Sequence, residues 1–408
     1  MPLIPGFQLL FTVLALAILG AAAWLLGDWY FGQWVRVDGD LVHVREAWRL
    51  WLGLGLLAWS FLGRPVVLAL VARRDVVPRR ATRRASRMIQ SDTGSRLYVE
   101  DDGAVVGGGP TAVLTHGWGL DSTIWNTTRD RLGGSTRVIA WDLPGLGKSK
   151  GAGLAQVRLE TMAADLRAVI ERVGEPVVLV GHSIGGMTIQ TLARDHPALF
   201  GSKVKGVLLF NTTWTNPLQT MILSPLAKTL RRPVIEPMLH LAIWLEPLVW
   251  LSMWQSYLSG SAHLANRLGF GASVTRSQLE HTTLLSTRNR PAVMARGNLA
   301  MFNWDAKDAL KNVPCPVEVV AGGIDILTLP HAGKAIAESA GARLHLEPGA
   351  NHMGFLEQGE AYTAILSAFL AKIQPPSARA VPPTAGLKVP NAEEAPEPAD
   401  GWVPRVAT

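Results

Sequence analysis

The chain has 408 residues, 48% of them apolar, a formal net charge of +7 and one cysteine. A lone cysteine, Cys315, excludes an intrachain disulfide framework and cysteine-rich metal sites, and it reads as a small buried hydrophobe. The charge is local, because Arg73, Arg74, Arg79, Arg80, Arg83, Arg84 and Arg87 are accompanied by one acid, Asp75. No stacking aromatics interleave with them, so the block argues for a membrane-topology signal and against a nucleic-acid surface.

Phe7 to Leu26 carries no charge, and only Gln8 and Thr12 are polar. At about 1.5 Å per residue, a helix of this length crosses the hydrocarbon core. Ala21-Ala22-Ala23 would suit signal-peptide cleavage, but no Lys or Arg precedes the apolar run, so a retained helix is expected. A second apolar stretch, Leu50 to Ala72, is interrupted by Arg64-Pro65. It reads as a kinked span with a snorkelling arginine, or as a re-entrant or interfacial helix. Residues 1–87 are therefore expected to be a membrane anchor of one or two helices with a basic juxtamembrane segment. If both segments span, the arginines hold the following domain in the cytoplasm.

From about Arg96 the pattern changes to short apolar runs alternating with amphipathic stretches. Leu97–Glu100 and Ala104-Val105-Val106 suggest an opening hairpin. Strands follow at Thr111–Thr115, Arg137–Trp141, Pro176–Val180 and Gly206–Phe210, with a helix at Leu159–Val173. Such alternation predicts an α/β fold: a mostly parallel sheet with helices on both faces. Between 213 and 299 it stops, and a Trp-, Met- and Leu-rich run broken by Pro217, Pro225, Pro233 and Pro247 predicts an inserted helical cap. Strands resume at Val317–Val320 and Arg343–Leu346, before a helix from Phe355 to Ile373. The expected organisation is thus a core over 88–212 and 300–374, a cap over 213–299, and a disordered tail over 375–408 with eight prolines.

The candidate chemistry centres on Gly181-His182-Ser183-Ile184-Gly185, which closes a strand and opens a helix. Gly181 and Gly185 leave room for a tight turn that lifts the serine hydroxyl clear of the sheet edge. A serine needs a base, and the base needs an orienting acid. His352, in Asn351-His352-Met353-Gly354 after the last strand, is the candidate base. Asp325, in Gly322-Gly323-Ile324-Asp325, is the candidate acid. All three follow predicted strands, so they can meet at one sheet edge. Asp142 is the rival acid, while His116 and His182 read as loop supports beside their glycines. Gly145-Leu146-Gly147-Lys148-Ser149 lacks the spacing of a phosphate loop and reads as a structural turn. No cofactor or metal is implied.

His116-Gly117-Trp118-Gly119, Asp142-Leu143-Pro144-Gly145, Gly181–Gly185, Gly322–Asp325 and Asn351-His352 stand in an order that resembles the α/β-hydrolase family. The likeness covers roughly residues 96–373 and is nearest the capped esterase, lipase and non-haem peroxidase-like members. It implies a Ser183–His352–Asp325 triad and an oxyanion hole made by the backbone N–H groups of Trp118 and Ile184. His116, Gly117, Gly181, His182 and Gly185 would support the loops. Another position for the family's acid follows Phe210, where this chain has Asn211.

The expected activity is cleavage of carboxylic esters through an acyl-enzyme. Trp214, Trp244, Trp250 and Trp254 exceed what a small cap can bury, so some should face the pocket or the bilayer. With the anchor, they suggest a lipophilic ester such as an acylglycerol, reached from the lipid bilayer. Alternatives within the resemblance are small-ester hydrolysis, cofactor-free perhydrolysis and carbon–carbon bond hydrolysis. A different class is a catalytically silent, membrane-bound lipid-binding or interaction module, separable by turnover of a short aryl ester. No oligomeric state is read from the sequence.

Overall fold

Strands that are apolar on both faces need a partner on either side and a layer above and below. The computed structural model describes residues 3–76, 81–103 and 109–373. A small N-terminal hairpin pairs β1 (Gln33–Val37) with β2 (Asp40–Val44). The main sheet runs in the order β10 (Arg343–Glu347), β9 (Val317–Gly322), β8 (Val204–Phe210), β7 (Val177–His182), β5 (Thr111–Thr115), β6 (Val138–Trp141), β4 (Arg96–Asp101), β3 (Ser86–Gln90). Strands β10 through β6 are parallel, and β4 and β3 close the other edge antiparallel. The sheet is therefore mixed.

The period-2 alternation sorts side chains between two helical layers. Val113, Leu179 and Leu209 pack with helices Leu159–Val173 and Ile184–Asp195, whereas Ala112, Val178, Val180 and Leu208 pack with Asn126–Leu132 and Gly359–Ile373. Between β8 and β9 the chain leaves the sheet for helices running from Pro217–Thr220 to Pro291–Met301, the inserted cap.

The opening hairpin differs from expectation. β4 pairs with β3, turning at Gly94 with φ +88°, while Ala104-Val105-Val106 lies outside the described residues. β3 escaped notice because it is an edge strand with only Ile89 buried, and so carries no alternation. Arg79, Arg80 and the proline-rich tail also lie outside the described residues.

The N-terminal region has the expected long apolar helix and, after it, an interrupted second stretch. Among the described residues one helix, α1 (Leu3–Phe31), is long and apolar enough to cross a membrane, with mean hydropathy 2.3 over Leu10–Phe31. The second stretch is split into α2 (Ala47–Leu62) and α3 (Arg64–Val71), bent by 68° at Gly63. Pro65 starts α3 because a first-turn residue needs no N–H partner. A Cβ on Gly63 would lie 2.6 Å from the Ser259 carbonyl, so the bend is pressed against the cap. Straight, the 16 residues of α2 reach about 24 Å, short of the roughly 30 Å core.

Arg64 does not snorkel. It donates to the Tyr257 hydroxyl at 2.6 Å and to Glu280 at 3.0 Å, both in the cap. Two of the later arginines are likewise paired: Arg83 with Asp121 and Asp142, and Arg84 with Asp102 and Asp130. Arg83 and Arg84 read as unpaired in sequence because the acids they meet come from later parts of the chain. α1 packs on α2 and on cap helices Glu246–Ser259 and Ser261–Arg267, with Ala15 and Ala22 buried along the contact.

Candidate functional site

Ser183 sits between β7 and helix Ile184–Asp195 with φ 57° and ψ −119°, a conformation that costs about 1–3 kcal/mol for a residue with a Cβ. Its neighbours make the turn feasible. A Cβ on Gly181 would meet the Gly185 carbonyl carbon at 2.6 Å, and one on Gly185 would strike the Thr115 carbonyl. Thr212 anchors the turn from outside, donating to the Ser183 carbonyl at 2.6 Å. The Ile184 N–H belongs to the first helical turn, where N–H groups have no intrahelical acceptor.

His352 follows β10 and Asp325 follows β9. The Nδ1–H of His352 donates to Asp325 Oδ2 at 2.9 Å, so in the neutral imidazole Nε2 is the acceptor. Asp325 is fixed from several sides. Its Oδ1 accepts the backbone N–H groups of Leu327 (2.8 Å) and Thr328 (2.9 Å). Its Oδ2 also accepts the Thr328 hydroxyl at 2.7 Å and the Asn211 amide at 3.0 Å. Burial pushes the Asp325 carboxyl up, but the His352 ring and these hydrogen bonds prevail and hold it below the usual carboxylate range.

Ser183, His352 and His182 line one chamber of about 60 Å³, room for a few waters. Gly117, Trp118 and Leu120 form one wall, and the cap contributes Asn266, Phe270, Thr282 and Met294. The Trp118 indole stays against the cap because Gly297 has no side chain: a Cβ there would collide with the ring.

The two other expected histidines hold loops. His116 donates from Nδ1 to the Gly117 carbonyl (2.8 Å) and accepts the Leu143 N–H on Nε2 (2.9 Å), tying the Trp118 loop to the end of β6. His182 donates from Nε2 to the His352 carbonyl at 3.0 Å. Burial pushes both rings below the ordinary histidine value, His182 further because the His352 ring is beside it, so both are neutral. Asp142 takes no histidine partner. It accepts the backbone N–H groups of Ser122 (2.7 Å) and Lys148 (2.8 Å) and pairs with Arg83 at 2.9 Å. In the Gly145–Ser149 turn the Lys148 N–H thus goes to a carboxylate, and the Leu146 and Ser149 N–H groups go to the carbonyls of Leu143 and Leu146, as in a structural turn.

Of the cap tryptophans, none of Trp214, Trp244, Trp250 and Trp254 lines the chamber, and Trp244 is 79% exposed. Cys315 is half-buried, and burial pushes its thiol up to about 11. Among the described residues no cluster of three His, Cys, Asp or Glu side chains could hold a metal ion.

Sequence reading missed four supports. Asn211, Thr328 and Asn351 fix the acid and base loops, with the Asn351 side chain accepting the His352 N–H at 2.8 Å. Tyr362 donates to the Asn211 carbonyl oxygen at 2.8 Å and so orients its amide toward Asp325. A polar Asn at the end of an apolar strand was the available signal for Asn211. Nothing local marks Tyr362.

A family model described as alpha/beta hydrolase family matches residues 112–365. A pimeloyl-acyl-carrier-protein methyl ester esterase from Methylococcus capsulatus is 30% identical over 286 residues, covering 67% of this chain and 98% of that one. The enzyme of the same name from Nitrosospira multiformis is 26% identical over 288 residues, covering 67% and 97%. Among solved structures, an esterase from Exiguobacterium antarcticum superposes with a TM-score of 0.56 at 21% identity, covering 70% of this chain and all of that one. That last likeness speaks for the fold.

Proposed function

We infer the reaction from one premise: the chain belongs to the alpha/beta hydrolase family. Its activity is that of a serine-type esterase acting on carboxylic esters. The finer reading we propose is a membrane-anchored enzyme in which Ser183 is the nucleophile, His352 the base and Asp325 the orienting acid.

In this mechanism His352 Nε2 takes the Ser183 proton as Oγ attacks the ester carbonyl carbon. The oxyanion is held by the backbone N–H groups of Trp118 and Ile184. Collapse expels the alcohol, which receives the proton from His352. Water, deprotonated in turn by His352, attacks the acyl-enzyme and releases the acid. The observation that carries the reading is the His352–Asp325 hydrogen bond in a chamber that Ser183 also lines. Labelling by a fluorophosphonate probe tests it: Ser183→Ala must abolish labelling and ester turnover together, and a variant still active would end the proposal.

For substrate we propose a lipophilic ester supplied from the bilayer. Support comes from α1, which packs directly on helix Ser261–Arg267, the element that gives Asn266 to the chamber wall. A short-acyl ester is the second reading, favoured by the small chamber. A matched ester series separates them. On the first reading kcat/KM rises with acyl length, each buried CH₂ adding about 0.8 kcal/mol. A maximum at acetyl with collapse by octanoyl selects the second.

A further inference from the structure

Helices of a cap that faces water carry charge on their outer side. On the bent pair Ser224–Trp244 and Glu246–Ser259, which meet at 101°, apolar side chains dominate that side instead. Leu226, Leu241, Trp244, Leu248, Trp250 and Leu251 are all exposed, by 43% to 79%. So much apolar surface on adjacent helices requires something to cover it.

Charge narrows what that is. The pair has two acids, and both are held in ion pairs, Glu236 with Arg231 at 2.7 Å and Glu246 with Arg290 at 2.7 Å. Lys228 and Arg232 are exposed, and among the described residues no carboxylate pairs with either. The charge left over on this face is therefore positive. Long cationic side chains beside an apolar face suit the boundary between acyl chains and anionic headgroups.

Continuity gives the same answer. Helix Glu246–Ser259 packs against α1, and its Gln255 amide points to the carbonyls of Ala15 and Ser60. On α1 itself Leu10, Val13 and Leu14 are exposed beside this seam. A bilayer that receives α1 reaches the cap helix packed on it.

We infer that the cap's bent helix pair is a second membrane-seated surface, inserted in the leaflet that α1 enters and rimmed by Lys228 and Arg232 at the headgroups. The chamber over Ser183 then loads from the lipid phase, since helix Ser261–Arg267 lies between α1 and the chamber. This deepens the membrane-anchored esterase reading and rests on it.

The full chain in nanodiscs of mixed neutral and anionic phospholipid tests the inference in two ways. A nitroxide placed at Leu248→Cys, in a Cys315→Ser background, should relax with oxygen and be shielded from a water-soluble nickel chelate. Trp244→Asp with Leu248→Asp should slow hydrolysis of a bilayer-resident long-chain monoacyl ester about tenfold or more, leaving a water-soluble short aryl ester unaffected. Both sites are exposed, so retained aryl-ester turnover reports an intact fold. Free collision of the label with nickel overturns the inference, as does equal activity of variant and parent on both esters. A label shielded from both reagents in a chain that has doubled in mass also overturns it, in favour of a second copy on this face. If the parent hydrolyses neither ester, the esterase reading fails, while the label depth still decides this one.

Discussion

Two carboxylates in this protein, the buried Asp325 and the half-buried Glu280, each gather several donors and are held by different means. Asp325 at the sheet edge receives two backbone N–H groups from its own loop, besides side-chain donors from Thr328, Asn211 and His352. Glu280, at the seam between the N-terminal helices and the cap, receives only side chains: Arg64 from α3, Tyr257 from helix Glu246–Ser259 and His263 at 2.8 Å from helix Ser261–Arg267. Burial pushes both carboxyls up and their partners pull both below the usual range. A carboxylate gripped by backbone cannot shift without unfolding its loop, which suits a group that must aim an imidazole. One gripped by long side chains from separate elements can keep its bonds while those elements slide. The first carboxylate is held by its own loop, and the second bridges three other helices.

The largest effects should separate these two. Ser183→Ala or His352→Ala is expected to lower kcat by roughly 10⁴–10⁶, and Asp325→Asn by about 10³–10⁴, in single-turnover and steady-state assays on an aryl ester. Glu280→Gln should leave kcat for the same soluble ester within about threefold, since it touches no reacting atom. A loss comparable to that of Asp325→Asn would erase the distinction.

Arg83 lies between the two regions in kind. It comes from the segment between α3 and β3 yet neutralises Asp121 and Asp142 behind the Trp118 loop. Arg83→Gln leaves those acids buried and unpaired and should cost about 3 kcal/mol, read as a fall in Tm. Arg83→Lys should recover part of it.

Acid sharpens the contrast by order of titration. His116 and His182 have folded values below the unfolded value of about 6.5. Below that pH the unfolded chain binds protons that the folded one does not, so stability falls as pH drops from about 6.5 toward the folded values. Asp325 and Glu280 contribute stability that is present above about pH 4 and lost as pH falls through their depressed folded values. Tm should therefore decline in two stages, and His182→Gln should flatten the first. A single stage confined below pH 4 would show the histidines do not contribute.

The smallest effect is at the bend. Gly63→Ala pushes a methyl toward the Ser259 carbonyl and should cost about 1 kcal/mol by loosening the seam, with aryl-ester kcat unchanged.

What could be read from the sequence was what local backbone rules dictate. β5, β7, β8 and β9 announce themselves as apolar runs containing β-branched residues, with Gly or Asn at or within two residues of their ends, and parallel pairing follows from the helices between them. Ser183 is legible because a φ of 57° needs glycines on both sides of its turn. The same kind of signal, Asp38-Gly39 with both residues at positive φ, marks the small β1–β2 hairpin and went unread among charged neighbours.

Tertiary structure alone decided which distant groups meet. Arg64 and Glu280 are 216 residues apart, and neither shows from its neighbours that it has a partner. Asn211, Tyr362 and Asp325 belong to three elements, and only the parallel stacking of β8 on β9 with the last helix behind them brings amide, phenol and carboxylate together. Arg83, Arg84 and Arg87 of the basic block find their acid partners for the same reason. Local propensity acts over one or two turns of chain, whereas a charge responds to whatever the fold puts within a few ångströms of it.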